Sequence, residues 1–178
     1  MFLDVTEQTC VAAAAAQITE DHGGLDGIVN NAGIAKGGPL EYLPLATWRE
    51  QFDVNVLGQL AVTKAMLPLI RAARGRIVFM GSISGKIATM MLGPYCASKF
   101  ALEAIGESLR HELHPWGVSV SVIESGPSRP QSGRKAVTRL IISNGAFPSR
   151  RELATPVTSR RSAKTSTGKT GTAPTRTG

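Results

Sequence analysis

Two short apolar segments, each bounded by turn-forming residues, most constrain the fold of this chain. Residues 77–80 form a continuous apolar run between two glycines, and residues 27–30 repeat the design, ending in small and polar residues. Apolar runs without polar alternation are typical of strands buried on both faces of a parallel sheet. Because parallel strands require long crossover connections, helices are expected between them. The chain is therefore predicted to have an α/β fold.

The predicted elements alternate as such a fold requires. We expect helices at residues 6–20, 48–73 and 94–112, and strands at 27–30, 76–80 and 118–123. Thr6 and Thr47 are the expected N-caps of the first two helices. Gly23 should end the first helix, and Pro68 should bend the end of the second.

Tyr95 and Lys99 are the first candidates for chemistry. Four residues apart on a helix, they lie on one face with Cβ atoms roughly 5–6 Å apart. A neighbouring ammonium favours the phenolate form of a tyrosine, so the pair can exchange a proton with an alcohol or a carbonyl. The spacing alone is weak evidence, since any helix offers such a pair by chance.

The polar residues that follow the strands strengthen this reading. Ser82 would stand at the carboxyl end of strand 76–80, where open α/β sheets place their ligands. Ser84 is equally near that end, but its spacing to Tyr95 is less favourable. Asn30 and Asn31 suit any turn, because asparagine tolerates left-handed conformations. Asn55, in the long helical pattern, also has a local interpretation, as a residue that binds a nearby carbonyl or caps a kink.

Taken in order, these residues resemble the short-chain dehydrogenase/reductase family. The motifs are Asn30-Asn31-Ala32-Gly33, Asn55, Ser82, Tyr95 and Lys99, and the resemblance covers roughly residues 3–126. It implies an incomplete Rossmann-like, doubly wound parallel sheet with flanking helices. It also implies an NAD(P)-dependent oxidoreductase that interconverts a secondary alcohol and a ketone.

The resemblance assigns a role to each catalytic candidate. Tyr95 would be the general acid/base, and Lys99 would stabilise its phenolate and bind the nicotinamide ribose. Ser82 would hold the substrate oxygen where charge develops. Asn55 would hold a water molecule that links Lys99 to solvent as a proton relay.

The implied cofactor is NAD or NADP, and the choice between them is not readable from the sequence. The cofactor-binding residues implied by the family are Asp4, Val5, Asn31, Ala32, Gly33, Tyr95 and Lys99. Residues 3–5 resemble the end of the family's third strand, and no G-x-x-x-G-x-G motif occurs in the 178 residues. That glycine-rich turn is what rests the pyrophosphate on backbone amides at a helix N-terminus.

The chain is expected to divide at Gly126. Residues 1–126 hold 9 Lys/Arg against 12 Asp/Glu, whereas residues 127–178 hold 11 against one, Glu152. The second part is low in large apolar residues apart from the short run 137–142, so we predict a basic, disordered tail. We hypothesise that the family sequence is truncated at its start and read out of frame after about Gly126.

The cysteines, the apolar segments and the basic tail limit the location and the partners that are expected for this chain. Two cysteines, Cys10 and Cys96, are too few for a disulfide framework. No segment has membrane-spanning length or the character of a signal peptide. We therefore expect a cytoplasmic protein that does not bind a membrane. The resemblance implies a homo-oligomer through the helices 48–73 and 94–113. Nucleic acid is an improbable partner, because the basic tail has almost no aromatic residues for stacking.

Two stretches resemble a zinc site and a phosphate-binding loop, but neither matches its motif. His111, Glu112 and His114 lack the spacing of a zinc site, so no metal is predicted. Gly168-Lys169-Thr170 resembles the end of a phosphate-binding loop, but Ala163 replaces its first glycine. The alternative to an oxidoreductase is a non-catalytic fragment or interaction protein that has lost cofactor binding.

Overall fold

The computed structural model describes residues 3–126 and the strand Arg139–Ile141. The helices are α1 (Gln8–His22), α2 (Leu45–Phe52), α3 (Gln59–Ala73) and α4 (Gly93–Leu113), with a π-helical turn at Asp53–Gly58 and 3₁₀ turns at Ile83–Gly85 and His114–Trp116. The strands are β1 (Gly27–Asn30), β2 (Arg76–Met80), β3 (Ser119–Ile123) and β4 (Arg139–Ile141). The predicted strands 27–30 and 76–80 are confirmed, and the third begins one residue later than predicted.

The described strands form one sheet in the order β3-β2-β1-β4. β1 pairs with β2 and β2 with β3 in parallel, which confirms the α/β prediction. β4 pairs with β1 in the antiparallel direction, Ile28 opposite Leu140. This strand lies inside the predicted disordered tail, in the apolar run 137–142, and the rest of that tail lies outside the described residues.

Helices α1, α3 and α4 pack on one face of the sheet. Ile28, Ile77 and Val120, aligned across the strands, lie in a single core cluster with apolar residues of α1, α3 and α4. From β1 to β2 to β3, each new strand is added on the same side of the previous one. Because the crossovers are right-handed, the helices that connect these strands lie on one face of the sheet. The described residues therefore contain one of the two helical layers of a doubly wound fold.

The first helix begins later than the sequence suggests. α1 starts at Gln8 after Glu7, and no side chain caps it. Thr6, the predicted cap, instead bonds to Asp4 Oδ1 through both its N–H and its hydroxyl. The Thr6 side chain is therefore directed toward Asp4, and the helix begins at the residue after Glu7. The predicted stop is confirmed, since Gly23 adopts a left-handed conformation with φ 66° and bonds to Thr19 O.

The second predicted helix is longer than expected. It begins at Leu45, directly after Pro44, so Thr47 lies inside the helix and is not its cap. Helical structure runs on through the π turn and past Pro68 to Ala73. By length and composition this described segment is apolar enough to cross a membrane, contrary to the sequence expectation. A long apolar helix that packs on a sheet meets the same criteria of length and composition. Val62 and Ile70 of this segment are fully buried in the core.

The first described residues do not continue the sheet. Leu3 and Val5 are buried in the core, but residues 3–7 form a turn in which Glu7 N–H donates to Asp4 O. The expected strand end at residues 3–5 is therefore not observed. Val5 instead packs on the π turn, where a Cβ added to Gly58 would lie 2.6 Å from Val5 Cγ2.

Candidate functional site

The candidate catalytic residues meet at the carboxyl ends of β1 and β2. The segment after β1 carries Asn31 and Gly33, and the segment after β2 carries Ser82. The first turns of α4, which carry Tyr95 and Lys99, begin beside these two segments. Ligands of open α/β sheets bind at this edge, so the topology brings together what the sequence separates.

Tyr95 and Lys99 face each other at the start of α4. Lys99 Nζ lies 5.7 Å from the centre of the Tyr95 ring, and it donates a hydrogen bond of 2.7 Å to Met80 O. Lys99 is only 6% exposed, and this burial lowers its pKa from 10.5 to about 8. A buried ammonium held beside a partly exposed phenol is the arrangement that the four-residue spacing predicted.

Ser82 is buried at the end of β2 and caps the short 3₁₀ turn that follows. Its Oγ accepts a hydrogen bond of 3.2 Å from Ser84 N–H. The turn packs against α4 closely, since a Cβ added to Gly85 would lie 3.0 Å from Lys99 O. The structure thus places Ser82 on the element that touches the Lys99 turn, and assigns Ser84 a supporting hydrogen bond.

Asn55 lies at 0% exposure within the π turn. Its Oδ1 accepts from Ile34 N–H at 2.8 Å, and its Nδ2 donates to Ile34 O at 3.0 Å and to Ser98 Oγ at 3.1 Å. Ser98 Oγ in turn donates to Tyr95 O at 2.7 Å. The residue therefore ties the segment after β1 to the Tyr95 turn, through a carbonyl that lies 21 residues away in the chain. The water relay stays a prediction.

Sequence reasoning missed the buried polar residues that share a helix face with Asn55. Gln51, Asn55, Gln59 and Thr63 follow one another at four-residue intervals on the long helical segment, and all are buried. Gln59 Nε2 bonds to Ala32 O at 2.5 Å, and Asn30 Nδ2 bonds to Thr63 Oγ1 at 2.9 Å. Polar residues at helical spacing within an otherwise apolar helix are a signal that the sequence contains.

Apart from Tyr95 and Lys99, the expected cofactor-binding residues fall into two groups. Asn31, Ala32 and Gly33 follow β1 at the ligand edge, with Asn31 exposed and Ala32 buried. Asp4 and Val5 lie at the start of the chain, where Asp4 Oδ1 holds Thr6 and Val5 contacts the π turn. Their cofactor contacts stay predictions. Within residues 3–126, no three His, Cys, Asp or Glu side chains gather as a metal site requires.

Comparisons with known proteins identify the family that this chain resembles. A family model described as short chain dehydrogenase matches residues 1–139, beyond the limit near Gly126 that the sequence motifs suggest. The chain is 50% identical over 103 residues to the mitochondrial D-beta-hydroxybutyrate dehydrogenase of Bos taurus, covering 58% of this chain and 30% of that protein. It is 43% identical over 129 residues to retinol dehydrogenase 16 of Mus musculus, covering 71% and 40%.

Solved structures show the same likeness. A short-chain dehydrogenase from Streptomyces avermitilis has a TM-score of 0.70 and 32% identity, over 74% of this chain and 50% of that one. A gluconate 5-dehydrogenase from Burkholderia cenocepacia, solved with NADP and tartrate, has a TM-score of 0.67 and 27% identity, over 70% and 49%. The chain thus spans about a third to a half of the length of these relatives.

Proposed function

This chain belongs to the short-chain dehydrogenase family, and on that premise we propose that it carries the proton-transfer site of an NAD(P)-dependent oxidoreductase. The proposed reaction interconverts a secondary alcohol and a ketone. The observation that carries the proposal is the buried Lys99 ammonium beside the Tyr95 ring, at the carboxyl edge of a parallel sheet. Catalytic acids and bases are often found where burial perturbs a titrating group.

Proton transfer is assigned to Tyr95. In the oxidation direction its phenolate oxygen accepts the proton of the substrate hydroxyl, and in reduction its phenol returns that proton to the alkoxide oxygen. Lys99 stays within 5.7 Å of the ring because Met80 O fixes its ammonium. The buried positive charge lies close enough to attract the negative charge that develops on the phenolic oxygen during proton transfer.

Ser82 and Asn55 complete the proposed machinery. Ser82 is buried near the Lys99 turn, and its hydroxyl would donate to the substrate oxygen as negative charge develops there. Asn55 fixes the Tyr95 turn through Ser98, and a water held next to it would carry protons between Lys99 and solvent.

The residues present fit the nicotinamide end of the cofactor. Among the described residues, one acceptor, Met80 O, bonds to the Lys99 ammonium, which leaves donors for ribose hydroxyls. The bound nicotinamide would supply or accept the hydride. No G-x-x-x-G-x-G motif, which would hold the pyrophosphate, stands among the 178 residues.

We also propose that the protein assembles as a homo-oligomer through α2–α3 and α4. Leu57 and Phe100, on these helices, are 56% and 43% exposed. Large apolar side chains that are exposed to water on neighbouring helices favour association with an apolar surface of a second molecule. A cytoplasmic location is retained as part of the proposal.

The test is a thermal melt of the chain with and without NADH or NADPH, followed by turnover assays on secondary alcohols. Cofactor at 100 times its dissociation constant should raise the free energy of unfolding by about 2.7 kcal/mol. Tyr95→Phe should abolish turnover and preserve that shift, because the proton donor is lost and the ring stays. A Tyr95→Phe variant that keeps most of its turnover would remove Tyr95 from the mechanism.

A second candidate is a non-catalytic fragment that keeps the helical surface and has lost cofactor binding. The exposed apolar side chains Leu57 and Phe100, on the helical surface that it would keep, favour it. A cooperative melt that moves with neither cofactor, in a chain that still self-associates by sedimentation, would establish this candidate instead.

A further inference from the structure

Gln51 makes two side-chain hydrogen bonds to the segment that follows β1. Its amide lies at 0% exposure, accepts from Lys36 N–H at 2.8 Å and donates to Ile34 O at 2.7 Å. The side chain thus pairs with the backbone as a neighbouring strand would. A side-chain amide supplies both the donor and the acceptor that this pairing needs, whereas an ionised carboxylate can only accept.

The segment held by Gln51 leads directly to the start of α4. Two residues after Lys36, Gly38 N–H donates to Met91 O at 2.7 Å. The approach is close, since a Cβ added to Gly37 would lie 2.4 Å from Met91 O. Residues 34–38 therefore form a backbone bridge between the Gln51 amide and the residue four positions before Tyr95.

Met91 is held in an unfavourable conformation at the end of this bridge. Its φ of 68° places a non-glycine residue in the left-handed region. Such a conformation costs on the order of 1 kcal/mol or more and persists only where neighbouring contacts impose it. Among the described contacts of Met91, the Gly38 hydrogen bond is the one that comes from a distant part of the chain. Leu92, the next residue, receives the first backbone bond of α4 from Cys96.

We propose that Gln51 is a positioning residue for Tyr95, acting through residues 34–38 and the backbone of Met91. The role rests on the proposed function, because it matters only if Tyr95 transfers the proton. Gln51 itself lies on α2, and its two described side-chain hydrogen bonds both go to this backbone segment. It sets the direction in which the first turn of α4 presents the phenol, while Asn55 and Ser98 hold the same turn from its other end.

Gln51→Met tests the proposal, because methionine keeps the length of the side chain and removes both hydrogen bonds. Gln59→Met is the matched control, since Gln59 is equally buried on the same helical segment but bonds to Ala32. Amide hydrogen exchange of the full chain should show Lys36 and Gly38 exchanging about tenfold faster in Gln51→Met, with faster exchange also at Cys96. The control should leave Gly38 within about twofold of the parent.

A second variant separates positioning from general destabilisation. In Gln51→Glu, the ionised carboxylate can accept from Lys36 but repels Ile34 O, whereas the protonated acid again supplies a donor. Corrected for intrinsic rates, Gly38 protection should therefore recover as the pH falls toward about 5. Where turnover is measurable, Gln51→Met should lower kcat about tenfold and leave the cofactor dissociation constant within about twofold.

Three results would overturn the proposal. Gly38 exchange could stay unchanged in Gln51→Met, or could rise equally in Gln59→Met. Alternatively, all amides including those of β2 could accelerate together, which would reduce Gln51 to a general stabiliser. The exchange readout needs neither cofactor nor turnover, so its failure is distinguishable from failure of the proposed oxidoreductase.

Discussion

Lys99 should make the stability of this protein depend on pH in an unusual direction. Its pKa falls from 10.5 to about 8 on folding because its ammonium is buried. Between these values the unfolded chain binds more protons than the folded one, so the free energy of unfolding rises with pH across that window. At neutral pH the shift corresponds to a cost of about 3 kcal/mol, at 1.36 kcal/mol for each pKa unit.

Replacing the lysine should remove this dependence. Lys99→Met keeps the unbranched apolar stem, and it loses the charge and the bond to Met80 O. Loss of the hydrogen bond changes the free energy of unfolding by the same amount at every pH. Loss of the charge changes how steeply that free energy varies with pH. We therefore expect the difference in unfolding free energy between parent and variant to change by about 2 kcal/mol from pH 7 to about pH 9.5.

Urea denaturation at a series of pH values measures that difference directly. Groups that titrate equally in both proteins cancel, including the exposed Lys86, whose pKa is raised chiefly by its hydrogen bond to Glu103. Lys99→Arg is a useful comparison, because it keeps a charge that does not titrate in this range. A difference that stays flat with pH would refute the argument that burial holds the Lys99 pKa near 8.

Two further predictions concern packing and the buried amide network. Gly75→Ala should lower the free energy of unfolding by about 2 kcal/mol, because its Cβ would lie 2.4 Å from Asp26 O. Gly24→Ala, which meets nothing within 4 Å, should stay within about 0.5 kcal/mol, and equal losses in urea melts would contradict the argument. Asn55→Leu removes its bonds to Ile34 and Ser98, and should cost about 3 kcal/mol with a loss of Ile34 amide protection. Unaltered protection of that amide would count against the network.

The boundaries of the helices show where local sequence signals compete. Gly23 ends α1 as predicted, because a left-handed residue without a Cβ stops a helix independently of its surroundings. Thr6 and Thr47 were wrong as caps. Thr6 bonds to Asp4, and Pro44 begins the second helix one turn earlier than Thr47 would. Whether a hydroxyl caps a helix depends on which hydrogen-bond partner it takes, and one stretch of chain offers it several partners.

The sequence by itself determined the alternating strands and helices and the pairing of Tyr95 with Lys99. Both follow from periodicity, which is a local property of the chain. Only the tertiary structure decided that Lys99 is buried against Met80 O, which lowers its pKa. It also decided that Gln51 and Asn55 bond to Ile34, across 17 and 21 residues of chain. Such partners meet only when α2 packs beside the segment after β1, so local spacing contains no information about them.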